Sequence, residues 1–169
     1  MLTPASDIFG ALERGVLDAA EWVGPHDDMI LGLHRTARYY YYPGWHEPGT
    51  VQDFGFNKKA YDALPVDLRR MLDHATAAVH VYAQSDFRLK NAIALERLRT
   101  EFKGKVEIVQ FPVPVLRDLR KLAAEVIRGE SEKTPLAKKV HASFTKFQSL
   151  VAPWDLVAEG AYHHLVAGG

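Results

Sequence analysis

The sequence predicts a mixed α/β chain of short strands and many helices. Three observations carry that expectation. Short apolar runs such as "ARYYYYPG" and "VEIVQFP" end at proline, as strands do. Leu68, Leu72, Ala75, Val79 and Tyr82 recur at alternating spacings of four and three, which lines one face of a helix. The last thirty or so residues carry helical patterning behind a polar break.

The elements follow in order. Ser6 is placed to cap a first helix running to Arg14, with Asp7 in its first turn. Ile8 and Leu12 share a face, and Gly15 stands where a helix closes. "VLDAA" (Val16 to Ala20) reads as a short buried strand, after which Gly24-Pro25 breaks the chain. A helical turn or two covers Asp27 to Thr36, and the tyrosine run forms a buried strand stopped by Pro43-Gly44. Thr50 to Phe56 reads as another strand, and Asn57 caps the short helix "KKAYDAL". Pro65 sits at the first position of a long helix. Unbroken from Pro65 to Glu101 it would span about 55 Å. Val106 to Phe111 is a strand, Pro112 and Pro114 open a further helix, and "GESEKTP" (Gly129 to Pro135) breaks it. Leu136 to Val166 is helical with an interruption at Pro153. There are no repeats and no low-complexity segments.

At 169 residues the chain has the length of one ordinary domain with a core. Lys+Arg and Asp+Glu both total 21, so no net field recruits nucleic acid or an acidic membrane surface. Cys is absent, which excludes disulfides, zinc-thiolate sites and thiol catalysis. No apolar run reaches the roughly 20 residues of a spanning helix. "MLTPASDIFG" has neither a basic nor an apolar leader region.

Chemistry is concentrated in "DAAEWVGPHDD" and "RYYYYPGWHEPGT". Glu21 follows a predicted strand directly, and Glu47 sits in a Gly/Pro-rich loop after another. Strand ends are where α/β proteins hold ligands. Two carboxylates converging there could act as an acid/base pair, as in a hydrolase or lyase. They could hold a hard cation through oxygen, or remain solvated and idle. Trp22, Trp45 and the tyrosines make bare carboxylates costly, a cost that a bound cation would remove. Pro43, Gly44, Pro48 and Gly49 stiffen the loop around Glu47. His26, Asp27 and Asp28 either extend such a site or cap the following helix.

Other features read more plainly. His163 and His164 are about 100° apart on a helix and cannot share a metal. "HEPG" lacks the second histidine of a zinc-protease motif, and the tyrosine run lacks the basic groove of a base-stacking surface. "LRDLRKLAAEVIRG" is a mixed-charge amphipathic helix suited to packing on a sheet.

"ALERGVLDAAEWVGPHDD", "YYYYPGWHEPGT" and "FNKKAYDALP" resemble the solute receptors of TRAP (tripartite ATP-independent periplasmic) transporters, the DctP-type family. "AEWVGP" and "PGWHEPG" in that order are similar to the branch of 2-oxo acid and lactate receptors, often labelled mannitol/chloroaromatic. The likeness is dense from Pro4 to about Pro65 and ends in "APWDLVAEGAY" at Tyr162. It implies that the Glu21 side chain ligates a cation and that the Trp22 carbonyl joins it while its indole walls the pocket. Glu47 would be the second acidic ligand. Sodium or calcium would then bridge these residues to the carboxylate and keto or hydroxyl oxygens of a small organic acid.

The resemblance further implies a binding protein rather than an enzyme, periplasmic location, delivery to TRAP membrane permease subunits by lobe closure, and no nucleic-acid partner. A homodimer through exchanged C-terminal helices is a further possibility it raises. Family members are about twice this length, with two α/β lobes. An arginine for the solute carboxylate and a glutamine or similar ligand lie upstream of the region matching Leu2. Residues 1–169 therefore resemble the C-terminal portion of a two-lobed periplasmic-binding-protein-like fold, with the signal peptide and N-terminal half outside this sequence.

Overall fold

The computed structural model describes residues 2–47, 49 and 51–166. The side chains of Glu159 and His164 are also outside the description. The chain divides between Phe111 and Pro112 into two compact units, and each is taken by itself.

The first unit opens with helix α1 (Ala5–Glu13). Pro4, with its extended ψ of 141°, is the residue before the first turn. Its carbonyl accepts from the Asp7 N–H at 2.9 Å. Ser6 therefore lies inside the helix and not at its cap, and its hydroxyl donates to Asp7 at 3.1 Å. The far end closes as expected. Gly15 takes a φ of +68°, a left-handed conformation that costs glycine nothing. Its N–H reaches Leu12 O at 3.1 Å while Val16 N–H reaches Ala11 O at 2.8 Å, the paired bonds of a Schellman ending.

Val16 to Ala20 has no strand structure and is mostly exposed. The same holds for 51–56, with Thr50 outside the described residues. Both readings are corrected for one reason. A strand exists only where a neighbour pairs its backbone, and the described residues of this chain hold just two that do. Helix α2 (Pro25–Ile30) and a 3-10 turn (Leu33–Arg35) precede strand β1 (Tyr39–Tyr42). Helix α3 (Lys58–Asp62) is capped by the Asn57 side chain, which accepts from Ala60 N–H at 3.1 Å.

Helix α4 (Val66–Thr100) runs unbroken for 35 residues, about 52 Å, and Pro65 is its cap rather than its first residue. Strand β2 (Glu107–Gln110) then returns parallel to β1, Tyr39 opposite Glu107 and Tyr42 opposite Gln110. The Arg38–Glu107 ion pair at 2.6 Å and the Tyr41–Phe111 ring contact at 4.8 Å flank the ladder. The core of this unit is small: Ile8, Ala11, Leu33, Ala94, Leu98 and Val106 are its buried apolar side chains among the described residues. Three of the four β1 tyrosines are nearly half exposed, so the strand is not the buried one the aromatic run predicts. Parallel sheets are stable when both faces are covered, and here the covering is incomplete.

The second unit contains only helices among its described residues: α5 (Val113–Ser131), α6 (Pro135–Val157) and α7 (Glu159–Leu165). Helix α5 packs on α6. Thr134 caps α6, its hydroxyl accepting from Ala137 N–H at 3.0 Å. Pro153 lies within α6, and the interruption falls five residues later at Ala158 (φ −99°, ψ −127°). One proline removes one ladder bond and bends a helix without having to end it. Helix α7 then folds back so closely that a Cβ on Gly160 would collide with the Asp155 carbonyl oxygen. Among the described residues no helix is long and apolar enough to cross a membrane.

Candidate functional site

Glu21 and Trp22 stand on the irregular segment between α1 and α2, and the segment is held from three sides. Pro25 opens α2 without a backbone donor, and the next N–H, of His26, donates to Asn91 Oδ1 on α4 at 3.0 Å. A side chain from another helix thus performs the capping that Gly24 cannot. Asp28, in the first turn of α2, reaches back so that Val23 N–H donates to its Oδ1 at 3.3 Å. Its Oδ2 accepts from the Tyr40 hydroxyl of β1 at 2.5 Å.

Asp28 is buried. Burial pushes its carboxyl above the ordinary carboxylate range, and the Tyr40 bond pulls it partly back. Tyr40 is itself pushed up, first by burial and then by donating to Asp28. Such a pair favours one arrangement of α2 against β1, because parting it would cost the Tyr40 hydroxyl and the buried Asp28 Oδ2 the bond between them. Asp28 therefore serves the scaffold, holding α2 to Val23 and to β1. Asp27 Oδ2 is buried without a hydrogen-bond partner among the described residues.

β1 runs directly into the loop that carries Trp45, His46 and Glu47. There the His46 imidazole approaches Glu21, Nε2 to Oε2 at 2.8 Å. The structure therefore brings Glu21 to the loop that holds Glu47, by way of the residue before it. Glu47 is exposed, as are Trp22 and Trp45. Pro48 lies outside the described residues. Among those described, no three His, Asp or Glu side chains converge on a point that could hold a metal.

The fit to a cation rests on donor chemistry. Glu21, Glu47 and a backbone carbonyl at Trp22 offer only oxygen, the set preferred by hard cations such as calcium. Oε2 of the Glu21 carboxylate stands 2.8 Å from His46 Nε2 as an ion-pair contact, and Oε1 makes no hydrogen bond among the described residues. Three protein groups fall short of the six to eight oxygens calcium takes, which leaves places for a solute's oxygens and further donors.

Sequence reasoning missed His46, Asn91 and the Asp28–Tyr40 contact. A histidine beside the candidate ligand in a Pro/Gly-stiffened loop was a usable signal for the first. Asn91 had none, since a polar residue on a long helix is ordinary. A concavity of about 470 Å³ lies between α2 and α4, lined by His26, His34, Lys90, Arg97 and Phe102 among others. Its Lys90 and Arg97 are already engaged by Asp86 and Glu101 at 2.7 and 2.9 Å.

Comparisons with known proteins give the class, the solute-binding proteins of TRAP transporters. The chain superposes with a TM-score of 0.88 on such a periplasmic protein from Colwellia psychrerythraea solved with calcium and pyruvate, at 33% identity. The match covers 96% of this chain and 49% of that one. A counterpart from Pseudoalteromonas atlantica with sodium and pyruvate matches at 0.82 and 34%, covering 98% and 50%. A monocarboxylate 2-oxoacid-binding periplasmic protein of Nostoc sp. is 32% identical over 164 residues, covering 97% of this chain and 44% of its own length.

The profile of the bacterial extracellular solute-binding proteins, family 7 (DctP), matches residues 2–134, and the chain belongs to that family. It spans about half the length of the relatives it matches.

Proposed function

We propose that this chain is the C-terminal part of a periplasmic TRAP solute receptor, residues 1–169 of one solute-binding domain. In this reading it presents a small 2-oxo or hydroxy monocarboxylate to the membrane permease through a bridging sodium or calcium ion. The observation that carries the reading is the match over 96% of the chain to a receptor solved with calcium and pyruvate. Glu21, the Trp22 carbonyl and Glu47 would hold the ion.

The electrostatics require such an ion. A solute carboxylate about 4 Å from one glutamate is repelled by about 4 kcal/mol at an effective dielectric near 20, and a cation between them reverses the sign. Reading Glu21 and Glu47 as the acid/base pair of a hydrolase or lyase fits a solute-binding family poorly.

Uncovered surface supports the reading as one half of a larger fold. The chain exposes 13811 Å², whereas two separate compact bodies of these lengths would expose about 10,000 Å² together. The exposed apolar side chains include Met71, Val79 and Tyr82 on α4 and Phe144, Phe147 and Leu150 on α6. The N-terminal half of the receptor would cover the first group. The second suits a homodimer through the C-terminal helices, which sizing chromatography would detect.

Calorimetry tests the proposal. The isolated chain is expected to bind calcium, with the heat lost in Glu21→Gln and Glu47→Gln, and to bind pyruvate at millimolar affinity or weaker. Equal calcium binding by both variants, or tight pyruvate binding in chelator, would overturn it.

A further inference from the structure

We propose that His46 is the positioning residue of the cation site: it holds one oxygen of the Glu21 carboxylate and leaves the other turned to the ion. This rests on the reading of Glu21 as a cation ligand and adds a role for a residue which that reading leaves idle.

Glu21 is an exposed side chain, 63% accessible, whereas the His46 side chain is 33% accessible. A carboxylate that exposed would sample several rotamers and lose that freedom on binding an ion. Nε2 of His46 at 2.8 Å from Oε2 selects one of them before the ion arrives. The imidazole stands beside Gly44, where an added Cβ would sit 3.4 Å from Cε1 and 3.9 Å from Nδ1, so the space between ring and loop backbone has room for one methyl. The Glu47 carbonyl oxygen approaches the same point at 3.6 Å.

The ring belongs to the loop that supplies the second acidic ligand, and its contact with Oε2 ties Glu21 to that loop. This role asks Nε2 to carry the proton, which leaves Nδ1 as the acceptor nitrogen when the ring is neutral. Partners that orient a metal's carboxylate ligands typically account for 10–100-fold in metal affinity.

Terbium(III) alone serves as the probe, its luminescence excited through the tryptophans, with calcium as competitor. His46→Ala is expected to weaken terbium affinity 10–100-fold, and His46→Gln to restore most of it, because a carboxamide N–H can donate to the same oxygen. Nitrogen-15 spectra of the histidine rings add a readout that needs no ion. His46 should show the Nε2–H tautomer in the wild type and a solution-like mixture in Glu21→Ala.

Terbium binding by His46→Ala within twofold of wild type, with Glu21→Gln inactive, would overturn the role of His46 alone. So would equal weakening in His46→Gln together with a tautomer indifferent to Glu21. Wild-type binding by Glu21→Gln, or none by the wild type, would overturn the cation site and this inference with it.

Discussion

Replacing Tyr40 with Phe removes one oxygen and tests the contact on which the placement of α2 depends. The hydroxyl donates to Asp28 Oδ2 at 2.5 Å, and the carboxylate it serves is 8% exposed. The remaining side-chain bond, from Val23 N–H at 3.3 Å, is long and falls on the other oxygen. A hydrogen bond to a charged, buried group contributes about 1.5–3 kcal/mol. With a urea slope of about 2 kcal/mol per molar, Tyr40→Phe should lower the unfolding midpoint by about 1 M at pH 7.

The pH dependence has a definite sign. Burial raises the Asp28 carboxyl above its ordinary 3.8. Its ionisation therefore costs stability as pH climbs from that value through the raised one. The Tyr40 bond favours the charged form and offsets part of that cost. Its contribution is full above the raised value and declines as pH falls through it. Urea titrations of wild type and variant at pH 7 and pH 4 should show the larger penalty at pH 7. A penalty under 0.5 kcal/mol at pH 7, or one equal at both pH values, would refute the argument.

Asn91→Ala should cost about 1 kcal/mol, the usual loss of a helix cap, and hydrogen exchange should show His26 N–H losing protection. Gly160→Ala should unravel the start of α7, because its methyl meets the Asp155 carbonyl oxygen. Backbone chemical shifts over 159–165 would move toward coil. Asn57→Ala removes the acceptor for Ala60 N–H and should melt α3, with the shifts of 58–62 as readout.

What was legible in the sequence was what a chain decides locally. Asn57 caps α3 because its acceptor reaches three residues along its own backbone, and Gly15 closes α1 because only nearby carbonyls are involved. The length of α4 followed from its spacing. Strands failed where partners were needed. Tyr39–Tyr42 pairs with Glu107–Gln110, but "VLDAA" and residues 51–56 find no strand partner among the described residues, and no local pattern reveals that. Ser6 failed as a cap because Pro4, two residues upstream, started the helix first. Pro153 was read as a break when a long helix absorbs it as a lost bond. Glu21 and Glu47 were legible as candidates from residue type and context. The distance from Glu21 to His46 was not, since it depends on how β1 and α2 meet.

That meeting explains why an irregular, exposed segment can present a defined carboxylate. The links form a circuit: α4 holds α2 through Asn91, and α2 holds Val23 and β1 through Asp28. β1 delivers the His46 loop, and His46 returns to Glu21 two residues before Val23. Neither the Glu21–Val23 segment nor the His46 loop has a ladder of its own among the described residues, so each takes its position from this ring of side chains. Residues whose contributions pass through a shared element couple, typically by 0.5–3 kcal/mol. Loosening α2 at Asn91 and at Tyr40 should therefore not act as two independent losses. Freedom given to α2 by either change is freedom for the carboxylate at Glu21, and that makes the small core of this unit sufficient to hold the acid but only while the circuit stays closed.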